Sequence, residues 1–485
     1  MRAHQRPGRS NAGSVAGLWR ALGLTVASAL VWGIAHIWAG RRAAGFLLMG
    51  LFAALSGALA VLGLGFQEEL KRIAVQRTWL NVITIGIVLL AVFWGGVVLR
   101  SYLILRPAGL PAAIRVTAGT LVTVLVVMLC TPLVYAANAT YVLRDTLGSI
   151  FHGDGNGPKI NTADPWKDKP RLNVLLLGGD GGADRSGVRP DSMTVASIDT
   201  HNGNTVLFSL PRSLQKFPMP ARLRTRWPAG YTGYPGDQGL LNELYQAAET
   251  HPELEPGQPK GQRGPHLTEE VIGNLLGLKI DYYILVNLDG FKDIVDAMGG
   301  VVVNVTKRLP IGGDDDPHHL RPATGYLEPG RQRLNGEKAL WFGRSRHADD
   351  DFHRMDRQKC LLKDIAEQAN PQKILTRFEK LAEAAKGTVD TNIPAELLPA
   401  LVTLSGSIKK GSSLHSIPFN PYKLTGFHVY EPEIQVMRQV TRAGIADSEK
   451  PPTPKPTTTG GKKKTASGTG GSSAGGSTSL KDICG

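Results

Sequence analysis

The chain changes its pattern of apolar and polar positions three times. A short basic segment, residues 1–15 with Arg2, Arg6 and Arg9, gives way to four long apolar runs: Leu22–Trp38, Ala44–Phe66, Leu80–Leu99 and Thr117–Ala137. Crossing a bilayer as a helix takes roughly 20 apolar residues. Three of the runs reach that length, and the first, with His36 and Trp38 near its end, is shorter. A cleavable leader would not be followed by three more such runs. The pattern predicts a multi-pass membrane protein with about four transmembrane helices in residues 1–137. Residues 138–170 turn to Gly, Asn, Asp and Pro and read as a juxtamembrane linker.

From Arg171 the periods shorten. Apolar runs of strand length occur at Leu172–Leu177, Met193–Ile198, Thr205–Leu210, Tyr282–Leu288 and Val301–Val305. Helical spacing appears at Gln238–Glu249, Thr268–Leu276, Asp289–Met298, Arg354–Ala369, Ala395–Leu404 and Pro432–Arg442. Strands interleaved with helices predict a layered α/β domain over residues 171–446, long enough for one substantial core. Residues 447–485 are Pro, Thr, Gly, Ser and Lys, including Lys462, Lys463 and Lys464, and predict a disordered tail.

Charge adds an orientation. The formal net charge is +14, so an anionic partner or surface is expected. Short cytoplasmic loops collect Lys and Arg, which favours Arg41, Arg42, Arg100, Arg106 and Arg115 inside and the large C-terminal domain outside. The basic N-terminal segment dissents, unless the first apolar run dips into the membrane and returns. Cys130, Cys360 and Cys484 are far apart and show no disulfide or metal spacing, so no disulfide framework is expected. Cys130 reads as a packing residue in the fourth run, and Cys484 does not match a prenylation signal.

Two stretches carry candidate chemistry. In RLNVLLLGGDGGADRSGVRPDSM, Asp180 and Asp191 flank a Gly-rich loop, with Arg185, Arg189 and Arg212 close by. Carboxylates suit a hard cation and arginines suit phosphate oxygens. The loop is neither a P-loop nor a dinucleotide fingerprint, and a plain surface turn is its competing explanation. The second stretch runs from Gly330 to Leu362. Arg344 and Arg346 are two apart, so in an extended segment they share a face. Arg354, Arg357 and Gln358 share a helical face, with Asp351 placed to cap that helix. A strand and a helix projecting guanidinium groups would clamp a diphosphate. The alternative is a solvated basic face balanced by Asp349, Asp350, Asp351 and Asp356.

Taken in order, NVLLLGGD, VRPDSM, ASID, LFSLPR, GRQRLNGEKALWFGRSR and DFHRMDRQ resemble the LytR–CpsA–Psr family, and LLNELYQ and DYYILVNLDGF resemble its actinobacterial members. The resemblance implies a layered α-β-α extracytoplasmic domain. It also implies a phosphotransferase that moves a glycopolymer, such as teichoic acid or arabinogalactan, from a polyprenyl-diphosphate carrier to peptidoglycan. By motif it assigns Asp180 and Asp191 to a Mg²⁺ or Mn²⁺ ion. Arg189, Arg212, Arg344, Arg346, Arg354 and Gln358 fall to the diphosphate, with Asp180, Asp191, Asp351 and Arg344 as catalytic groups. Asp351 would orient the arginine after it or act as base. Three positions depart from the family pattern. Ser213 follows the LPR motif where Asp or Asn is usual, and His353 replaces a Gly. Leu240-Leu241-Asn242-Glu243 lacks the family's Lys, for which Arg222, Arg224 and Arg226 are candidate substitutes. Ile280–Leu288, Ile294–Met298 and Val301–Val305 would line a lipid groove or pack in the core. The partners expected are the lipid-linked glycan, peptidoglycan and membrane. No nucleic-acid motif is present, and no nucleic-acid partner is expected. The competing functions are a lipid-diphosphate pyrophosphatase and a non-enzymatic wall-polymer binding or regulatory protein.

Overall fold

The structure is a computed structural model. It describes residues 12–66, 73, 76–107, 110–151, 164–180, 187–313, 322–345, 350–368, 377–409, 413–450 and 478–484. The chain divides into two compact units, Met1–Asp145 and Thr146–Gly485.

The first unit is helical: α1 (Ala12–Leu30), α2 (Ile34–Trp38), α3 (Arg42–Gly65), α4 (Arg77–Leu105) and α5 (Ala112–Ile150). Among the described residues three helices are long and apolar enough to cross a membrane, α3, Thr78–Leu105 of α4, and α5. The expected count of about four is therefore not confirmed among the described residues. The first apolar run is broken at Gly33, which separates α1 from α2 at φ +98°. A β-carbon there would lie 2.2 Å from the Gly45 carbonyl oxygen, so the break and the close approach of α3 both need glycine. Inside the bundle, Trp94 Nε1 donates to the Ala29 carbonyl at 3.0 Å and the Ser28 and Ser101 hydroxyls lie 3.0 Å apart. Such bonds, with close packing, join helices where the hydrophobic effect supplies little drive. α5 runs on to Ile150, so the first part of the expected linker is helix.

The second unit is organised by a seven-stranded mixed sheet in the order β11-β10-β3-β2-β1-β4-β9, whose outer strands are β9 (Val389–Thr391), β10 (Leu414–Pro418) and β11 (Thr478–Ser479). The central strands are β1 (Arg171–Asp180), β2 (Arg189–Asp199), β3 (Thr205–Leu210) and β4 (Tyr282–Asn287). β1 runs antiparallel to β2 and parallel to β4. Strand periodicity explains the layers. Leu175 and Leu177 of β1 join the main core with Met193, Val195, Val206 and Phe208. Helices α6 (Glu243–Thr250), α7 (Arg263–Leu276) and α13 (Ile434–Glu449) cover that face through Leu244, Val271 and Met437. Leu172, Val174 and Leu176 point the other way and meet Leu401 and Leu404 of α12 (Leu398–Lys409).

A second core fills the space under two antiparallel strand pairs, β5 (Val301–Val305) with β8 (Gly330–Leu334) and β6 (Leu309–Ile311) with β7 (Gly325–Leu327). Val295, Val301, Val303 and Val305 are buried there against Phe342 and Leu361. These valines pack in a core. Phe342 comes from α9 (Gly336–Arg344) and Leu361 from α10 (Asp351–Gln368).

The end of the chain overturns two expectations. Thr478–Ser479 form β11 on the edge of β10 (Leu414–Pro418), and Leu480–Cys484 form a short helix, α14. Cys484 is disulfide-bonded to Cys360 of α10 across 124 residues of sequence. A bare sheet edge offers unpaired N–H and C=O groups, and β11 satisfies part of that edge. Leu480 anchors it, buried to 2% exposure. The Lys462–Lys464 run lies outside the described residues. Cys130 is a free thiol in α5.

Candidate active site

β1, β3 and the start of β2 end together. The β1–β2 ladder shifts register between Gly178 and Gly179, and Asp180 then pairs with Arg189. A β-carbon on Gly179 would come within 2.7 Å of Val188, so glycine permits the shift. Bulges of this kind re-aim side chains at the ends of sheets. Asp191 follows at the start of β2, and Arg212 lies two residues after β3.

Four side chains from three places meet here. Arg212 Nη1 donates to Asp191 Oδ1 at 2.5 Å, and its Nε lies 3.6 Å from Asp351 Oδ1. Arg354 Nη2 donates to the Asp191 main-chain oxygen at 3.0 Å and sits 2.8 Å from Asp351 Oδ1, while its Nη1 is 3.9 Å from Asp191 Oδ2. Carboxylate and guanidinium thus alternate. Arg354 is 1% exposed, which is tolerable only because both carboxylates face it. Both Asp351 oxygens are buried and lack a hydrogen bond of good alignment, the Arg354 contact being an ion pair by distance. The cap of α10 is Asp350, not Asp351: its Oδ1 accepts from the Phe352 and His353 amides at 3.1 and 3.0 Å. It also meets His353 Nδ1 at 2.7 Å. Desolvation works against ionised Asp350, but these bonds outweigh it and hold its carboxyl below the ordinary range.

The other expected residues stand further out. Arg344 is the last residue of α9, so it projects from a helix and not from the extended segment anticipated. Its guanidinium carbon lies 5.9 Å from the Trp341 ring centroid. Arg346 and the Asp180 side chain lie outside the described residues, as does Arg185. Arg189 is 52% exposed and 3.9 Å from Asp237. The Gln358 amide donates to the Gly343 carbonyl at 3.0 Å. Arg357, which sequence reasoning noted only as sharing a face with Arg354, donates to the Phe342 carbonyl at 2.8 Å and to the Ser345 carbonyl. One further residue escaped notice. Lys359 is buried 3.1 Å from Asp356, and burial pushes its ammonium pKa down against the pull of that carboxylate. Its only sequence signal was an Asp three residues earlier.

Of the arginines offered in place of the family's lysine, Arg222 and Arg226 are balanced locally, and Arg224 Nε donates to the Met219 carbonyl at 3.4 Å. Arg222 bonds Glu255 and, at 2.5 Å, Glu270, and Arg226 lies 3.5 Å from Glu253. Glu255, His266 and Glu270 have ligand atoms within 4.8 Å of one another, and Arg222 already supplies the positive charge between two of them.

Asp191 and Asp351 carry two negative charges and Arg212 and Arg354 two positive ones, so the cluster is close to neutral by itself. A diphosphate needs more positive charge than that. The carboxylate oxygens of Asp191 and Asp351 are of the hard type that Mg²⁺ or Mn²⁺ takes.

A mixed sheet with acidic and arginine side chains converging beyond its strand ends, in a chain that also has membrane-length helices, defines an α/β protein with a cluster of paired charges at the end of its sheet. The chain belongs to the LytR–CpsA–Psr family: the model described as the LytR_cpsA_psr family matches residues 145–445, which include all four clustered side chains. A relative named polyisoprenyl-teichoic acid–peptidoglycan teichoic acid transferase TagV, from Bacillus subtilis, is 30% identical over 288 residues. That match covers 57% of this chain and 64% of the relative, so the chain spans less than two thirds of it. A TagU transferase of the same description from Oceanobacillus iheyensis is 26% identical over 292 residues, covering 59% of this chain and 79% of that protein. The crystal structure of B. subtilis TagV is similar with TM-score 0.41 and 25% identity, covering 59% of this chain and 100% of that one.

Proposed function

We propose that this protein is an extracytoplasmic, membrane-anchored phosphotransferase. It moves a glycopolymer from a polyprenyl-diphosphate carrier to a hydroxyl of peptidoglycan. The observation that carries the proposal is the alternating Asp191–Arg212–Asp351–Arg354 cluster at the end of the sheet. The names of the two transferase relatives point the same way. The Cys360–Cys484 disulfide supports an extracytoplasmic domain, since such bonds persist in oxidising compartments.

In the proposed reaction the acceptor hydroxyl oxygen attacks the phosphorus that bears the glycan. A new P–O bond forms, the bond to the bridging diphosphate oxygen breaks, and polyprenyl phosphate leaves. Arg212, with Arg189, Arg344 and Arg346, holds the diphosphate oxygens, because forked guanidinium donors match them and their fixed charge stabilises the leaving group. Asp180 and Asp191 would hold a Mg²⁺ or Mn²⁺ ion, which when bound supplies further neutralising charge. Arg354 keeps Asp191 and Asp351 in place from beneath. Asp351 takes the acceptor's proton. Asp191 Oδ1 is engaged by Arg212 at 2.5 Å, whereas the ion pairs of Asp351 with Arg212 and Arg354 both run through its Oδ1, which leaves Oδ2 to take the proton.

The test combines the full chain in detergent, Mg²⁺, a polyprenyl-diphosphate oligosaccharide and peptidoglycan fragments. The expected product is a glycan joined to peptidoglycan through a phosphodiester, formed by Asp191→Ala and Arg344→Ala at a much lower but still measurable rate. Free glycan phosphate as the sole product would assign a pyrophosphatase instead. No turnover, with both variants matching wild type, would sink the proposal. The polymer itself is identified by comparing wall composition between wild-type and deletion strains.

A further inference from the structure

We infer that Arg357, assisted by Gln358, is a positioning residue that fixes where Arg344 stands relative to the carboxylate cluster. The inference rests on the proposed role of Arg344 at the diphosphate. The last carbonyls of a helix have no partner within it. In α9 these belong to the residues around Arg344, and α10 supplies the missing donors. Arg357 Nε donates to the Phe342 carbonyl at 2.8 Å, Gln358 Nε2 to the Gly343 carbonyl at 3.0 Å, and Arg357 Nη2 to the Ser345 carbonyl. One side chain therefore spans Arg344, bonding main chain on both sides of it. A guanidinium does this because it carries donors in a rigid fork, and its charge also suits a helix C-terminus.

The same helix carries Asp351 and Arg354 one turn or two earlier, where they meet Asp191 and Arg212. Phe342 and Leu361 are buried between the two helices in the second core. Apolar packing alone tolerates small slides of one helix along another. Directed bonds to three carbonyls do not. A misplacement of about 1 Å in a charged group facing a reacting phosphate lowers turnover about 10²-fold. Gln358, expected at the diphosphate, donates one of its two amide hydrogens to this junction.

The test compares Arg357→Ala, Arg357→Lys, Arg344→Ala and the Arg344→Ala/Arg357→Ala double variant, all as full-length protein in the transfer assay. Melting temperature is recorded for each. Arg357→Lys keeps the charge and removes the fork, and should lower kcat/KM about tenfold without a matching loss of folded protein. Arg357→Ala should lower it further in the wild-type background, yet add less than twofold when Arg344 is already alanine, because the residue acts through Arg344. Independent, multiplying losses would overturn the inference. So would an Arg357→Lys enzyme as active as wild type, a result that stands even if Arg357→Ala fails to fold. If Arg344→Ala itself turns over normally, the functional reading has failed, and this inference fails with it.

Discussion

Arg354 and Asp191 meet twice, once through the main-chain oxygen at 3.0 Å and once through the carboxylate at 3.9 Å, although 163 residues separate them. The contact ties helix α10 to the start of β2. Removing a buried partner leaves the other charge uncompensated. Arg354→Ala is expected to destabilise the fold by about 3–5 kcal/mol. Arg344→Ala, at a helix end, should lie within about 1 kcal/mol of wild type while losing most of its transfer activity. Chemical denaturation of the two variants beside the assay separates these roles. Equal stability losses would show that the two arginines do the same job.

Divalent metal dependence follows from the acidic pair assigned to it. Chelation should abolish transfer, with recovery on adding Mg²⁺ or Mn²⁺. Asp191→Asn should cost about 10²–10³-fold in kcat, the scale for losing a preorganised charge. Full activity in chelator would contradict the assignment of Asp180 and Asp191.

The Cys360–Cys484 bond closes a long loop, and such closure restricts the unfolded chain by about 2–4 kcal/mol. Cys484→Ser, or reduction of the wild type, should lower the melting temperature of the detergent-solubilised protein. It should also raise hydrogen exchange in β10, whose edge strand would then be tethered only by Leu480 and a short ladder. An unchanged melting temperature after verified reduction would remove the tail from the stability of the domain.

Glu269 on α7 predicts a pH dependence. Burial pushes its carboxyl up to about 7, opposed by the Asn392 amide at 3.2 Å and by His266. A carboxyl raised above its ordinary 4.5 favours folding in its protonated form. That contribution is fully present at low pH, is lost as pH rises from about 4.5 to 7, and then stays lost. Glu269→Gln should flatten the fall in melting temperature across that window. A slope equal to wild type would locate the titration elsewhere.

Much of the layout is legible in the chain itself. Apolar runs of strand length mark β1 to β5 to within a few residues, because a strand covered on both faces reads as a short continuous apolar run. The acidic and arginine residues of the site lie in contiguous motifs, and their types alone pointed to phosphate and a cation. Where sequence reasoning went astray, long-range geometry was responsible. Arg344 was placed on an extended segment because a two-residue spacing is ambiguous, and the capping of Asn335 at the other end of α9 settles it as helix. The first apolar run was counted with the others, although Gly33 breaks it where α3 approaches too closely for a side chain.

Sequence by itself determined the membrane-length helices, the α/β alternation, the family and the acids and arginines of the site. Each is written in local periodicity or in neighbouring residues. Tertiary structure alone decided that Arg354 is buried beneath two carboxylates, that Asp350 caps α10 and leaves Asp351 to the cluster, and that Arg357 grips the end of α9. It also decided that a low-complexity tail returns to add a strand and a disulfide. These are pairings between residues far apart in the chain. Their free energy depends on which surfaces packing brings together, and no local pattern records that.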